Sequence, residues 1–308
     1  NDMSTPAVHI NELTKNYNGT QALNGVNLTI PEGSFFGLLG PNGAGKTTTI
    51  NILTGLVRKT SGKSEIFGFD TVKEFRQSRL RIGLSPQELN FDHFFTIRDM
   101  LALQGGYYGM SFKDGLEKAD ILLGQFGLEE KRNAKARDLS GGMKRRLQIA
   151  KALIHDPPLI ILDEPTAGVD IELRHMLWDF LKQQNSNGKT ILLTTHYIEE
   201  AENLCDSVAI IDQGEIITEG SPNALIQTSG TSVLEIKVNN WMPTDFENKP
   251  SFTVTDNTLH IPTKSPEKEM IWWIKELTDK QMTVENIHIN RSSLEDVFLK
   301  LTGRSILD

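Results

Sequence analysis

Eight residues in the first fifth of the chain, GPNGAGKT at positions 40–47, are of the kind that holds phosphate. They meet the spacing G-x-x-x-x-G-K-[ST], with an apolar run before them and a helix-forming run after. Gly40, Gly43 and Gly45 permit positive φ and let backbone N–H groups come close to phosphate oxygens; Pro41, Asn42 and Ala44 complete the loop. A helix beginning near Lys46 aims its positive end at the same place. Lys46 would then reach the β and γ phosphates of a nucleotide, and the Thr47 hydroxyl would ligate Mg²⁺. A second stretch, LIILDEP at 159–165, is an apolar run that delivers an acid to its C-terminal end, where ligands bind in open α/β sheets. Asp163 would hold the hydration shell of the metal. Glu164, pointing elsewhere, would be free to take a proton from an attacking water, help typically worth ~10²–10⁴ in rate. On their own the two acids could equally be solvated residues at a helix start; downstream of GPNGAGKT that reading loses.

These groups need a scaffold, and the sequence pattern supplies one. VHINELTKNY and ALNGVNLTI alternate apolar and polar residues as strands do, and GSFFGLLG reads as a buried strand entering the glycine turn. KTTTINILTGL reads as a helix and TSGKSEIFG as turn and strand. From about residue 94 to 153 the pattern is helical, most clearly in IRDMLALQGGYYGM and KDGLEKADILLGQFGL. PLIILDEP and TILLTTH are short apolar runs bounded by turn signals, as expected of buried parallel strands. Strands and helices in alternation imply an α/β sheet covered on both faces. Near SPNALIQTSGT, residues 221–231, the composition turns rich in Gly, Ser and Pro, and a boundary is expected there. The predicted division is 1–228 for the nucleotide-binding domain, with its helical part at 94–153, and 229–308 for a small α+β unit. In that tail SVLEIKV and VENIHIN read as strands, SFTVTDNTLHIP as a hairpin turning at Asp256 and Asn257, and PEKEMIWWIKELTDK and SLEDVFLKLTG as helices.

Composition narrows the function classes. A 308-residue chain with 38% hydrophobic residues is long enough for one large domain or two moderate ones. It contains no apolar run long enough for a membrane-spanning helix, and no apolar leader opens it; Met3 is read as the native start, and secretion is not expected. A single cysteine, Cys205, excludes an internal disulfide. A net charge of −8 argues against nucleic acid as the main partner, because backbone phosphates demand a basic face.

GPNGAGKTT, SPQ, LSGGM, LIILDEPTAGVD and LTTH follow one another in this order at spacings that resemble those of ABC-transporter ATP-binding subunits, over roughly residues 7–220. EEAENLCDSVAIIDQGEII and SSLEDVFLKLTGR look like the export-type branch (ABC-2, drug-resistance-like), and the whole is similar to YadG-type bacterial subunits. The resemblance implies a P-loop NTPase of the ABC ATPase kind, with an N-terminal antiparallel β subdomain, a helical insertion and a small C-terminal α+β domain. It also implies roles for residues at matching positions. Tyr17 would stack on adenine, and Thr48 would join the phosphate loop. Gln87 would touch Mg²⁺ and the attacking water, beside Thr47 and Asp163. His196 would contact the γ-phosphate, and Asp170 would lie in the loop that crosses to a second subunit. Ser140, Gly141 and Gly142 would cap the γ-phosphate held by the phosphate loop of another copy, so that two ATP molecules join a homodimer. Met143 stands where the commoner pattern has Gln, which removes a polar contact at that position. The KRR run after it reads as a solvated helix face.

The same resemblance implies a cytoplasmic subunit bound to the inner face of a bacterial membrane through an ABC-2-type permease, with no direct contact to the cargo. Phe94, Phe95, Tyr107, Tyr108 and Met110 are candidates for the permease contact or, alternatively, for the core of a helical subdomain. Trp272 and Trp273, adjacent on one helix, would face different ways, one toward a neighbouring chain. His155 and Cys205 are assigned only to packing or surface. Competing readings fit less well. Translation ATPases of this type carry two cassettes, and repair ATPases place long coiled coils between the two motifs, where this chain has no sustained heptads. A binding module without turnover would not need Glu164, Gln87 and His196 intact, and GTPases lack the LSGGM run.

Overall fold

Phe35–Leu39 (β3), FFGLL, is buried at every position, which only a strand covered on both faces achieves. Leu159–Asp163 (β7) and Thr190–Thr195 (β8) are buried throughout in the same way. In the computed structural model, which describes residues 5–239, 252–303 and 305–306, these strands form the centre of a six-stranded sheet. Met3 lies outside the described residues, as do Ser251 of the expected hairpin and Arg304.

The chain divides into two compact units, one through Gly220 and one over Ser221–Ile306. In chain order the elements of the first are β1 (Val8–Tyr17), β2 (Thr20–Ile30), β3, α1 (Lys46–Leu53), β4 (Ser61–Ile66), β5 (Phe69–Asp70), α2 (Phe75–Arg79), β6 (Ile82–Ser85), α3 (Ile97–Gly106), α4 (Phe112–Gln125), α5 (Gly141–Ala152), β7, α6 (Ile171–Ser186), β8, α7 (Ile198–Leu204), β9 (Ser207–Asp212) and β10 (Glu215–Gly220). The central sheet runs β10-β9-β3-β8-β7-β6, parallel except at the β10 edge. A second sheet, β2-β1-β4-β5, is antiparallel. Ile10, Leu13, Leu23, Val26 and Leu28 from it share one core with Phe36, Leu38, Ile161, Leu192 and Ile211 of the central sheet. The alternation read in β1 and β2 is thus the half-buried pattern of a sheet covered on one face. Burying this apolar surface, at roughly 25 cal/mol per Å², is what fixes the two sheets to one another and the phosphate loop between β3 and α1.

The helical part contains α3, α4 and α5. Thr96 and Ser111 cap α3 and α4, each accepting from the N–H three residues on, and Arg98 bridges to Asp120 through two contacts of 2.6 Å. Tyr108 and His155 stack with ring centroids 3.4 Å apart and planes 1° apart, and His155 Nε2 lies 3.0 Å from the carbonyl oxygen of Ile82 in β6.

The second unit comprises α8 (Pro222–Ser229), β11 (Ser232–Asn239), β12 (Thr253–Thr255), β13 (Thr258–Thr263), α9 (Pro266–Asp279), β14 (Thr283–Asn290) and α10 (Leu294–Thr302). Its sheet runs β12-β13-β11-β14, all antiparallel. Asp256 and Asn257 take positive φ, 48° and 60°, as a two-residue hairpin turn requires. The division between units falls ahead of α8, not at 228/229. The Gly/Ser/Pro-rich composition read as a boundary hides a helix start: Ser221 accepts from Ala224 N–H, and Pro222 occupies the first helical position. The two tryptophans also depart from the reading. Trp273 is buried and Trp272, half-buried, packs against the same cluster of Leu234, Ile236, Leu259 and Leu277, the rings meeting edge to face at 5.2 Å. The indoles are long enough to reach one core from adjacent positions.

Burial pushes the His155 imidazole from its ordinary range down to about 4. A histidine whose pKa is lower folded than unfolded stabilises the fold fully above about pH 6.5, and that stability is lost as pH falls toward the folded value. Thermal melting from pH 7 to 4 should therefore fall more steeply for the natural protein than for His155→Phe, which keeps a ring against Tyr108. Parallel curves would show that His155 does not carry the acid lability.

Candidate functional site

The loop between β3 and α1 closes because three glycines allow it. Gly43 and Gly45 have φ of 80° and 112°. A Cβ on Gly45 would come within 2.7 Å of Leu23, and one on Gly40 within 2.3 Å of the Ile211 carbonyl oxygen, so a side chain at either position would push the loop off the sheet. No side chain caps the start of α1, which leaves its first-turn N–H groups for a ligand. Around the loop is a cavity of ≈ 350 Å³ lined by Ala22, Pro41, Asn42, Gly43, Gly45, Lys46, Thr47, Thr48, Gln87 and Glu164. Ala44 is buried beneath it.

Lys46, 4% exposed, donates to the carbonyl oxygens of Gly40 at 2.5 Å and Pro41 at 3.1 Å. Its Nζ is 3.3 Å from Glu164 Oε1. Burial pulls the ammonium below the ordinary lysine value, while Glu164 and Asp163 act against that shift and favour the charged form. β7 ends on Asp163, and Glu164 follows it directly. Asp163 accepts from Thr47 Oγ1 at 3.0 Å and from Thr194 Oγ1 at 2.5 Å. Glu164 turns away through a φ of 48°, a left-handed conformation costly for a non-glycine residue. Its N–H is held at 3.1 Å by both the hydroxyl and the carbonyl oxygen of Thr194. The turned carboxylate meets three partners: Lys46, Gln87 Nε2 at 3.1 Å and His196 Nδ1 at 3.3 Å. Gln87 follows β6 and His196 follows β8, so every member of this cluster projects from the C-terminal edge of the parallel sheet.

The residues suit a nucleotide and a hard divalent cation. Gly40 and Gly45 of the cradle leave no room for side chains, the ammonium is buried beside it, and the Thr47 hydroxyl with the Asp163 carboxylate is an oxygen donor pair of the kind Mg²⁺ takes. Among the described residues no cluster of three or more His, Cys, Asp or Glu gathers to hold a metal, so a metal here would be held jointly with phosphate.

Not all expected residues meet at this cavity. Tyr17, 41% exposed, lies under the Lys15 ammonium at 4.6 Å and does not line it. Ser140 caps α5, accepting from Met143 N–H at 3.3 Å, and together with Gly141 and Gly142 is absent from the lining. Ser140 and Gly141 are exposed. Asp170 caps α6, accepting from Leu173 N–H at 2.8 Å. Residues that sequence reasoning missed are Ala22, Thr194, Arg145 and Gln148. Thr194 had a signal, a polar residue within a run that must be fully buried. For the other three nothing local distinguishes them.

A second hollow, ≈ 430 Å³, is lined by Phe75, Arg76, Arg79, Leu80, Tyr107 and Tyr108. Of the aromatic candidates for a partner contact, Phe94 and Tyr107 are 83% and 85% exposed and Phe95 is 44% exposed, whereas Tyr108 and Met110 are half-buried. No helix among the described residues is long and apolar enough to cross a membrane.

Comparison with known proteins agrees with this geometry. Residues 23–167 match the ABC transporter family. The Nod factor export ATP-binding protein I of Burkholderia lata is 38% identical over 99% of this chain and 100% of its own length. Its counterpart in Rhizobium meliloti is 39% identical over 99% of this chain and 90% of its own. Among solved structures, an ATP-binding subunit of an ABC transporter superposes with a TM-score of 0.68 at 29% identity, covering 73% of this chain and 93% of that one. The dimeric structure of MJ0796, a bacterial ABC transporter cassette, gives 0.65 at 31% identity, covering 70% and 98%.

Replacing Lys46 by Met keeps the length of the side chain and removes the ammonium from both the loop and Glu164. Truncating one partner of a buried charged contact costs about 2–5 kcal/mol, so nucleotide affinity or kcat/KM should fall at least about thirtyfold. Equilibrium nucleotide binding and steady-state phosphate release measure this, and unchanged values would remove Lys46 from the site.

Proposed function

The chain belongs to the ABC transporter family as an export-type ATP-binding subunit with ATPase activity, and from that premise we propose that two copies close around two ATP molecules to drive a separate permease. One observation carries the residue assignments: the buried Glu164 meets the buried Lys46 and, at the cavity edge, Gln87 and His196, beside the Thr47–Asp163 pair.

In this reading the N–H groups of residues 43–48 and the Lys46 ammonium bind the β and γ phosphates. Phosphate oxygens compete with Glu164 for the ammonium, so nucleotide binding frees the carboxylate. Thr47 and Asp163, with Gln87 at their side, would hold Mg²⁺, which when bound would neutralise the charge that develops on the phosphate oxygens. Glu164 then accepts the proton of the attacking water, with Gln87 orienting that water and His196 steadying the γ-phosphate. Tyr17 offers a face for adenine. The exposure of Ser140 and Gly141 at the start of α5, away from their own chain's cavity, supports their use on the nucleotide of a second copy, with Asp170 at the crossing loop. The MJ0796 cassette is dimeric, which supports the pairing of two copies.

The permease contact is assigned to the hollow of Phe75, Arg76, Arg79, Leu80, Tyr107 and Tyr108, with exposed Phe94 and Phe95. An exposed aromatic group next to the segment that carries Gln87 is suited to take up short cytoplasmic helices of an ABC-2-type permease. The chain would thereby work at the cytoplasmic face of a bacterial membrane. The curated relatives are named for Nod factor export, which supports the outward direction. Cargo is left to the permease.

The proton-acceptor role has a direct test. Glu164→Gln should keep ATP binding, lower turnover by about 10²–10⁴-fold and accumulate a dimer with ATP and magnesium in size-exclusion chromatography. A monomeric, fully active variant would reject it.

A further inference from the structure

Gln87 does not hold its own place. The segment from Pro86 to Glu88 is gripped by α5, the helix that begins at the Ser140-Gly141-Gly142 turn. Gln148 Nε2 donates to the carbonyl oxygens of Pro86 at 2.5 Å and Glu88 at 2.9 Å. Arg145 Nη1 lies 3.4 Å from the Pro86 carbonyl oxygen and 3.3 Å from that of Gln87. The two donors are three positions apart, so they share one face of the helix, and both are buried, at 6% and 3% exposed. The far end of α5 is seated as closely: a Cβ on Gly83 of β6 would come within 2.2 Å of the Ala152 carbonyl oxygen. α5 is therefore clamped along the strand that leads to Gln87 and across the segment that carries it.

The chemistry of these contacts is unusual for mere packing. Among the described residues Arg145 has no carboxylate at ion-pair distance, although burying a guanidinium without a partner is costly. Burial pulls its pKa down, and the fields of Asp163 and Glu164 act against that. Among the described residues Gln148 Oε1 finds no hydrogen-bond partner, and its Nε2 is spent on the carbonyls of Pro86 and Glu88.

We propose that Arg145 and Gln148 are positioning residues for ATP hydrolysis: by holding the three carbonyls of residues 86–88 they present the Gln87 carboxamide to Glu164. Because α5 starts at Ser140, one helix joins the glycine turn to the Gln87 segment. A nucleotide capped by the turn is thereby linked to the glutamine of the other site. The inference rests on the assignment of Gln87 made above.

Gln148→Met, similar in length but without donors, and Arg145→Met test it, with Arg145→Lys keeping one donor. In Gln148→Met the amides of residues 87–89 should exchange hydrogen faster without nucleotide, while those of Ile149, Ala150 and Ala152 stay protected. The value of kcat should fall about tenfold with KM for ATP within about twofold, the scale of a lost buried hydrogen bond. Arg145→Lys should recover part of the loss seen in Arg145→Met. In a Gln87→Ala background neither change should lower kcat further, since both act through the same side chain. Unaltered exchange at 87–89, a rise in KM at constant kcat, or full additivity with Gln87→Ala would overturn the proposal. A fully active Gln87→Ala would instead overturn the assignment of Gln87, and the proposal with it. An impaired Gln87→Ala beside fully active Arg145 and Gln148 variants would overturn the proposal alone.

Discussion

An ammonium and a carboxylate buried within 3.3 Å of one another govern the first unit. Lys46 and Glu164 come from opposite ends of the fold's central motif, one from the start of α1 and the other from the end of β7. Neither charge could be buried alone; removing one partner of such a pair typically costs about 3–5 kcal/mol. The demand explains much of the surrounding construction. The glycines of the loop let the lysine fold back onto the carbonyls of Gly40 and Pro41, and the left-handed turn at Glu164 aims its carboxylate at Lys46 while Asp163 stays with Thr47. Gln87 and His196 then pack against a carboxylate whose place is already set.

The pair also explains why the site can respond to a phosphate. A triphosphate offers the ammonium several anionic oxygens in place of one carboxylate. In the proposed mechanism, binding and release of Glu164 are therefore the same event, and a group suited to take a proton is freed only where a phosphate is present. A site with a polar residue substituted for Glu164 could bind, but it would have nothing to free.

Much of this was legible in the sequence because it depends on local rules. β3, β7 and β8 are buried on both faces and so read as unbroken apolar runs. The loop 40–47 needs glycine at set positions, and the hairpin at Asp256 and Asn257 needs residues that tolerate positive φ. What escaped was set by long-range contact. Arg145 looked like one residue of a solvated basic face, yet it is buried because a segment nearly sixty positions earlier lies over it. Ala22 lines the cavity only because β2 crosses beside the loop. The helix at Pro222 was masked by its own start signals, since serine and proline mark both a linker and a first turn. The motif order shows which residues gather at the sheet edge; it does not show that Ser140 and Gly141 stay exposed and out of that cavity.

That separation is the centre of the account: a working pocket needs the lysine of one copy and the serine turn of another. The most direct measurement is ATPase activity after mixing two inactive variants, Lys46→Met and Ser140→Arg. Each alone spoils both pockets of its homodimer, but a mixed dimer contains one pocket with both groups intact. The account predicts that activity absent from either variant returns on mixing, rising with the fraction of mixed dimer. If mixing restores nothing while the mixed dimer demonstrably forms, the pocket is not shared between copies.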